Sequence, residues 1–166
     1  QGNRDGSAWA RGQAWGVYGI ALSYRYLKTP EYLDLFCQVT DYFIAHLPED
    51  LVPYWDFDFD TGSTEPRDSS ASAIAICGIL EMSSYLDKEK AEKYLTAADK
   101  MLCALMDHCA NTDKTRSNGL LLHGTYARDS AYNTCINRGV DECSTWGDYF
   151  YMEALTRRMK DWKPYW

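Results

Sequence analysis

The stretch SSASAIAICGIL, residues 69–80, consists of small and apolar residues and has no polar face. A helix that faces solvent on one side carries polar residues there, so a helix without them is buried on all sides. Asp68 comes immediately before this stretch and is first a helix N-cap candidate and only second a catalytic carboxylate. The stretch therefore predicts a buried helix that begins after Asp68.

Buried and amphipathic patterns alternate on both sides of this helix. Apolar residues recur at helical spacing from Trp9 to Tyr26, and an amphipathic pattern follows Thr29-Pro30 and ends at Pro48. A charged helix capped by Asp87 and a last helix from near Ser144 come after the central stretch. This order predicts a repeated helical hairpin. The inner helices open at Arg11, Asp68 and Thr145, and the outer helices open at Pro30 and Lys88.

The first inner helix has an unusual stripe of small residues, Gly12, Gly16, Gly19 and Ser23. Glycine costs a helix interior about 1 kcal/mol relative to alanine, so such a stripe predicts close packing against another helix. Later in the chain LLLHGTY, residues 120–126, predicts a short strand or an extended segment.

Composition and charge exclude several classes of function. The 17 basic and 24 acidic residues give a formal net charge of −7, which does not suit a nucleic-acid binder. No run of about 18 apolar residues is present, so we expect no membrane span. Six Trp and thirteen Tyr instead favour an aromatic cleft for the flat faces of sugars. The pattern of six cysteines is compatible with a bacterial cytoplasm or periplasm.

Polar and aromatic residues gather at the N-terminal ends of the predicted inner helices. Helix N-termini carry partial positive charge and free N–H groups, so several of them around one cavity suit an anionic ligand. The sequence therefore predicts a site at this end of the inner helices. The residues concerned are Trp9, Arg11, Trp15, Arg67, Asp68, Ser69, Ser144, Trp146 and Asp148.

Alternating aspartates in the loop before the central helix raise the alternative of a calcium site. Asp56, Asp58 and Asp60 have the spacing that begins an EF-hand loop, but Gly62 falls one place late and Glu65 two places early for that motif. We therefore expect a structural acidic loop and no metal.

Three long motifs resemble the unsaturated glucuronyl hydrolases, a glycoside hydrolase family with an (α/α)6 barrel. They are QGNRDGSAWARGQAWGVYGIALSYRY, VPYWDFDFDTGSTEPRDSSASAIAICGILEM and STWGDYFYMEAL. Family members are about twice as long as this chain. The resemblance thus implies an all-α fold in which residues 1–166 form the C-terminal part of a single (α/α)6 domain, about half of the barrel. It also implies self-association or pairing with a missing N-terminal half.

The resemblance implies hydration of a vinyl ether. This reaction needs no cofactor. An acid protonates C4 of a terminal 4,5-unsaturated uronic acid, water adds at C5, and the hemiketal collapses. The substrates are oligosaccharides that lyases release from glycosaminoglycans or similar polysaccharides. The catalytic aspartate of the family lies upstream of Gln1, so the isolated segment should be inactive. Two alternatives are a catalytically silent carbohydrate-binding remnant of the barrel and an interaction protein built from helical hairpins.

The resemblance implies that Gln1, Arg11 and Trp15 contact the unsaturated sugar. The alternatives are an Arg11 that pairs with an acidic neighbour and a Trp15 that only packs in the core. Trp9 is either a wall of the entrance or a staple at the helix start. The full set of predicted substrate-binding residues is Gln1, Trp9, Arg11, Trp15, His123, Tyr126 and Trp146.

The loop from Arg128 to Arg138 is where the resemblance implies recognition of the sugar beyond the cleaved bond. His123 could line the same subsite. Arg128, Asn133 and Arg138 could hold a sulfate there.

Overall fold

The computed structural model of the chain describes residues 2–115, 117–132 and 134–163. Within these residues the secondary structure is helical, with no strand longer than an isolated β-bridge. An all-α fold is thereby confirmed. The helices are α1 (Ala10–Leu27), α2 (Glu31–Ala45), α3 (Ser69–Met82), α4 (Lys88–His108) and α5 (Thr145–Met159), with one turn of 3-10 helix at Ser83–Tyr85.

The central helix α3 is buried as the sequence predicts. Every residue of α3 except Leu80 is buried, because α1, α4 and α5 all pack against it. Helix α2 packs on α1 and forms the first outer layer. Inner helices α1, α3 and α5 therefore alternate along the chain with outer helices α2 and α4, and the predicted repeated hairpin is confirmed.

Close approach between inner helices depends on a glycine of α3, and the prediction of close packing through the α1 stripe is wrong. A Cβ added to Gly78 would lie 2.7 Å from the Tyr18 Cα atom, so α1 and α3 touch backbone to backbone there. A Cβ on Gly19 would meet nothing within 4 Å. One on Gly12 would meet the Trp9 ring, and one on Gly16 would only touch the side chain of Val39. The stripe thus gives room to side chains rather than to a helix backbone.

Local sequence signals identify two helix starts correctly and a third only in part. The Asp87 side chain accepts a hydrogen bond from the Lys90 N–H at 2.9 Å, and the Ser144 side chain accepts one from Gly147 N–H at 3.2 Å. Asp68 occupies the N-cap position of α3, but its carboxylate makes no capping hydrogen bond. The predicted N-cap position of Asp68 is confirmed, but its side chain does not cap the helix, because one carboxylate oxygen faces Arg11 of α1 and the other accepts the Ser70 hydroxyl.

The predicted extended segment is present and is held by isolated bridges. Leu121 pairs with Ala110, and Gly124 pairs with Glu142. The carboxylate of Asp148, in the first turn of α5, accepts the N–H groups of Leu120 and Leu121, each at 2.9 Å. These contacts fix the position of the extended segment, which ends at Tyr126.

A cluster of buried charges joins the three inner helices towards their C-terminal ends. Arg157 of α5 lies 3.0 Å from Glu81 of α3 and 2.8 Å from Glu153 of its own helix. Arg25 of α1 lies 3.2 Å from the same Glu81. The charges of two arginines and two glutamates balance in this cluster. It lies at the end of the inner helices opposite to their aromatic N-terminal residues. None of the helices described is long and apolar enough to cross a membrane.

Candidate functional site

A cleft of about 240 Å³ opens at the N-terminal ends of the inner helices. Helix α1 supplies two of its lining residues and the N-cap position of α1 a third, α5 supplies one from its first turn, and the end of the extended segment supplies the last. Five predicted site residues are thereby brought together. They are Trp9, Arg11, Trp15, Tyr126 and Trp146.

The Arg11 guanidinium lies among the aromatic rings of this cleft. Its central carbon is 4.9 Å from the ring centroid of Trp9, 5.0 Å from that of Trp146 and 5.9 Å from that of Tyr126. Its Nη2 atom donates a hydrogen bond to the Tyr126 carbonyl oxygen at 2.6 Å. Although it lines the cleft, Arg11 is only 3% exposed. Cation–π attraction and this hydrogen bond therefore hold the guanidinium plane in one place.

Asp68 is the counterion of Arg11. Its Oδ2 atom lies 3.6 Å from Nη1 of Arg11, and the aspartate is completely buried. The Arg11 Nη1 atom and the Asp68 Oδ2 atom are both buried without a hydrogen-bond partner. The pairing of Arg11 with an acidic residue, which the sequence left as an alternative to a role in the cleft, thus occurs together with its place in the cleft.

The other carboxylate oxygen of Asp68 joins a hydrogen-bonded chain that reaches the cleft wall. The Ser70 hydroxyl donates to Asp68 Oδ1 at 2.5 Å, and the indole Nε1–H of Trp146 donates to that hydroxyl oxygen at 3.2 Å. The Thr125 N–H also points to Oδ1, at 3.5 Å. Asp68 is therefore linked to helix α1 through Arg11, to α5 through Trp146, and to the segment that carries Tyr126.

Burial shifts the pKa values of both partners towards their neutral forms. Loss of hydration raises the pKa of Asp68 above its ordinary value, against the opposing effect of the Arg11 charge. The same loss of hydration lowers the pKa of Arg11. Loss of hydration therefore opposes the charged form of each group, as is common for buried ion pairs.

Aromatic faces at the cleft remain open to a ligand. Trp15 is 38% exposed, although the edge of its ring contacts Phe150 with centroids 5.4 Å apart. Tyr126 is exposed and packs against Trp146 with centroids 5.6 Å apart. Trp9 lies over Gly12 and also beside Arg11, so it is at once a wall of the cleft and a cover of the helix start. Exposed rings around a fixed cation suit a flat, polar ring such as a sugar.

One predicted substrate-binding residue, His123, is not among the lining residues of this cleft. His123 has a positive φ of 65°, and its Nδ1 atom lies 2.6 Å from Asp141 Oδ1, away from the lining residues. Gln1 lies outside the described residues, so its role stays a prediction.

Two polar residues of the predicted ring of helix starts have structural partners instead. Arg67 pairs with Asp50 at 2.7 Å and lies 3.9 Å from the centroid of the Tyr54 ring. Asp148 accepts the backbone N–H groups described above. Arg67 and Asp148 therefore stabilise the fold and do not line the cleft.

The loop that was expected to meet the second sugar has its own ion pair. Arg128 Nε lies 3.1 Å from Glu65 Oε2, and Glu65 also accepts the Trp55 indole N–H at 3.0 Å. Hydrogen bonding to Glu65 raises the pKa of Arg128. Asn133 lies outside the described residues. A sulfate at Arg128 would therefore have to compete with Glu65.

The described part of the chain contains no group of three His, Cys, Asp or Glu side chains placed to hold a metal ion. The Asp56 carboxylate, at the head of the alternating aspartates, is fully buried and accepts hydrogen bonds from Asn3 N–H and Ser7 Oγ, each at 2.8 Å. Asp58 pairs with Arg4 at 2.8 Å. The acidic loop therefore anchors the segment before α1, which is the structural role expected for it.

The sequence did not identify Ser70 and Thr125 as parts of the site, and it assigned Asp68 mainly to a cap. Ser70 is hidden in a small, apolar stretch, and Thr125 lies 57 residues away from Asp68 along the chain. A usable signal was present in Arg11 itself, because an arginine on a buried helix needs a nearby counterion.

Comparisons with known proteins identify relatives of the chain by sequence. No family model matches the chain. An unsaturated chondroitin disaccharide hydrolase of Streptococcus pyogenes serotype M1 is 52% identical in an alignment that covers 100% of this chain and 41% of that protein. An unsaturated glucuronyl hydrolase of Bacillus sp. (strain GL1) is 41% identical over 100% of this chain and 43% of its own length.

The fold agrees as well. A crystal structure of a variant unsaturated glucuronyl hydrolase from Streptococcus agalactiae, complexed with dGlcA-GalNAc6S, matches with a TM-score of 0.91 and 49% identity over 100% of this chain and 43% of that one. The chain thus spans about two fifths of the length of these relatives. By sequence and by fold, residues 1–166 are homologous over their whole length to a segment of the unsaturated glucuronyl hydrolases, which are (α/α)6 barrel proteins.

Proposed function

We propose that residues 1–166 provide a wall of the substrate site of a glycoside hydrolase that acts on the terminal 4,5-unsaturated uronic acid of oligosaccharides released by lyases. The observation that carries this proposal is the cleft in which Arg11 lies among Trp9, Trp146 and Tyr126. The Streptococcus agalactiae relative binds dGlcA-GalNAc6S, an unsaturated uronic acid joined to an amino sugar. Glycosaminoglycan fragments of this kind are the proposed substrates.

The unsaturated ring explains why aromatic walls and one cation are suitable. Its C4=C5 double bond flattens the ring, so the faces of Trp15 and Tyr126 can cover it. Its carboxylate is attached at C5 and favours a nearby guanidinium. Because Asp68 balances the charge of Arg11, the guanidinium can orient an anion although the cleft has no large excess of positive charge.

The reaction is hydration of the vinyl ether. A carboxylic acid protonates C4, water adds at C5 and gives one proton back to the carboxylate, and the resulting hemiketal opens and releases the remaining sugar. Such an acid must reach the substrate. Asp68 is completely buried behind Arg11, so it does not supply this proton. We assign proton transfer to a carboxyl group upstream of Gln1.

This assignment requires residues 1–166 to be the C-terminal part of one larger domain. The chain covers 41% to 43% of the relatives described above, which supports this proposal. Closure of the barrel by further hairpins would complete the cleft.

The decisive experiment compares the full-length protein with residues 1–166 alone. Each is incubated with an unsaturated chondroitin disaccharide, and loss of the ultraviolet absorbance of the C4=C5 double bond is followed. We expect turnover by the full-length protein and none by the segment. Turnover by the segment alone would place the acid within this chain and overturn the assignment.

A second candidate is a carbohydrate-binding remnant without catalysis. It is favoured by the cleft lining, in which none of the five residues carries a carboxyl group. The same experiment separates the two, because a remnant would bind the disaccharide, measured by quenching of tryptophan fluorescence, while the full-length protein left its double bond intact.

A further inference from the structure

We infer that Asp68 is a positioning residue of this cleft, which fixes the orientation of Arg11 and of the Trp146 indole without contact with the substrate. The inference rests on the proposed function for its kinetic consequences. The inference also states that one carboxylate links α1, α3 and α5. This link does not depend on the substrate.

The geometry gives each carboxylate oxygen a different task. Oδ2 faces Nη1 of Arg11 at 3.6 Å, and Oδ1 accepts the Ser70 hydroxyl at 2.5 Å. Ser70 in turn accepts the Trp146 indole N–H at 3.2 Å. A change at Asp68 must therefore reach both the cation and one aromatic wall of the cleft.

Burial of Asp68 and Arg11 favours a single orientation of the Arg11 guanidinium. The Arg11 Nη1 atom and the Asp68 Oδ2 atom lack hydrogen-bond partners, so their mutual attraction adds to the Tyr126 hydrogen bond and the ring contacts that hold the guanidinium. Asp68 has no exposed surface, which excludes a direct contact with a ligand in the cleft. The carboxylate therefore acts through its neighbours.

The primary test is Asp68→Asn in the full-length protein, assayed with the unsaturated chondroitin disaccharide. The amide keeps the shape of the side chain but removes the charge that orients Arg11. We expect KM to rise by roughly tenfold, the lower end of the loss for a charge-assisted contact, and kcat to change less than threefold. An unchanged KM in the folded variant would overturn the inference.

A double-variant comparison shows whether Asp68 acts through Arg11. If it does, adding Asp68→Asn to Arg11→Met produces little further change in KM. Effects that multiply would show independent action and would contradict the inference. This pair of variants also covers the case in which Asp68→Asn alone fails to fold, because the double variant leaves no buried charge unpaired.

The matched control is Glu153→Gln in the buried cluster at the other end of the inner helices. Glu153 is also a buried acid paired with an arginine, Arg157, at 2.8 Å. We expect it to lower the melting temperature and leave KM unchanged. An equal rise of KM in Glu153→Gln would show that any loss of buried charge loosens the cleft, and the specific role of Asp68 would be lost.

A spectroscopic measurement separates this inference from the proposed function. The protein is labelled with 15N-tryptophan, and the Trp146 indole N–H resonance is assigned by Trp146→Phe. We expect Asp68→Asn and Ser70→Ala to move this resonance and Glu153→Gln to leave it in place. That result would support the positioning role even if the wild-type protein left the disaccharide intact, in which case the proposed function alone would fail. A resonance that stays in place in Asp68→Asn would overturn the inference.

Discussion

Arg11 on α1 and Asp68 at the start of α3 form a buried ion pair with 3.6 Å between Nη1 and Oδ2. The two residues are separated by 57 positions in the chain and come together only because α1 packs on α3. The pair places a guanidinium at the aromatic cleft with its charge already balanced. Its energetics can be examined independently of any substrate.

Removal of one partner should destabilise the fold far more than removal of both. Arg11→Met leaves the Asp68 carboxyl buried without a counterion, which should lower the free energy of unfolding by about 3 kcal/mol. Arg11→Met with Asp68→Asn should lie within about 1 kcal/mol of the wild type, because no uncompensated charge is left. Urea denaturation of the three proteins measures this. A double variant that is less stable than Arg11→Met would contradict it.

The stability that depends on Asp68 should fall as the pH rises. Its carboxyl has a raised pKa in the folded protein and an ordinary value of 3.8 otherwise, so the folded state binds the proton more tightly. This contribution is complete below pH 3.8 and is lost as the pH rises through the raised pKa. The wild type should therefore lose stability relative to Asp68→Asn as the pH rises above about 4, measured as the free energy of unfolding. A difference that moves in favour of the wild type with rising pH would show that its pKa is lowered instead.

Particular residues show how far the sequence determines this structure. Asp87 and Ser144 were identified as caps because a cap depends on residues within one turn. The same rule misassigned the side chain of Asp68, since its orientation depends on a residue of another helix. The sequence also pointed to the glycine stripe of α1 and not to Gly78 as the point of close helix packing. Only tertiary packing decides which glycine lies against a neighbouring backbone. Local signals therefore predicted the helices and most of the cleft, whereas the polar network beneath it required the fold.

Gly78 and Gly19 offer a matched pair of substitutions. Gly78→Ala would place a Cβ 2.7 Å from the Tyr18 Cα atom and should lower the free energy of unfolding by about 1–3 kcal/mol, because two helices must separate. Gly19→Ala meets nothing within 4 Å and should raise it by about 1 kcal/mol through helix propensity. Thermal and urea denaturation measure both. Equal effects of the two would mean that Gly78 is not a point of close contact.

Residues 1–166 expressed alone should associate through the unpaired side of α5. Met152 on α5 is 53% exposed, and Met106 on outer helix α4 is 51% exposed. Met106 is therefore a control of nearly equal exposure on a different helix. If α5 is the edge where the barrel continues, Met152→Lys should shift the segment towards monomer in light scattering, and Met106→Lys should have little effect. A wild-type segment that is a monodisperse monomer and binds no hydrophobic dye would contradict the partial-barrel proposal.

Substitution of Arg11 tests the cleft directly. In the full-length protein, Arg11→Ala removes a charge-assisted contact worth about 1.5–3 kcal/mol, so kcat/KM should fall about ten- to a hundredfold. Arg11→Lys should recover only part of this loss. An ammonium has no planar face to lie between the Trp9 and Trp146 rings, whose centroids are 4.9 and 5.0 Å from the guanidinium carbon.

Kinetics of these Arg11 variants must be compared with their stability, because Arg11→Ala also leaves Asp68 unpaired. Arg11→Ala combined with Asp68→Asn removes that cost and isolates the contact with the ligand. Trp15 provides the comparison on the aromatic side: Trp15→Phe should be milder than Trp15→Ala, since a smaller ring keeps part of an exposed wall. A folded double variant with wild-type kcat/KM would show that Arg11 and Asp68 serve only the architecture of the inner helices, and that the aromatic rings alone recognise the sugar.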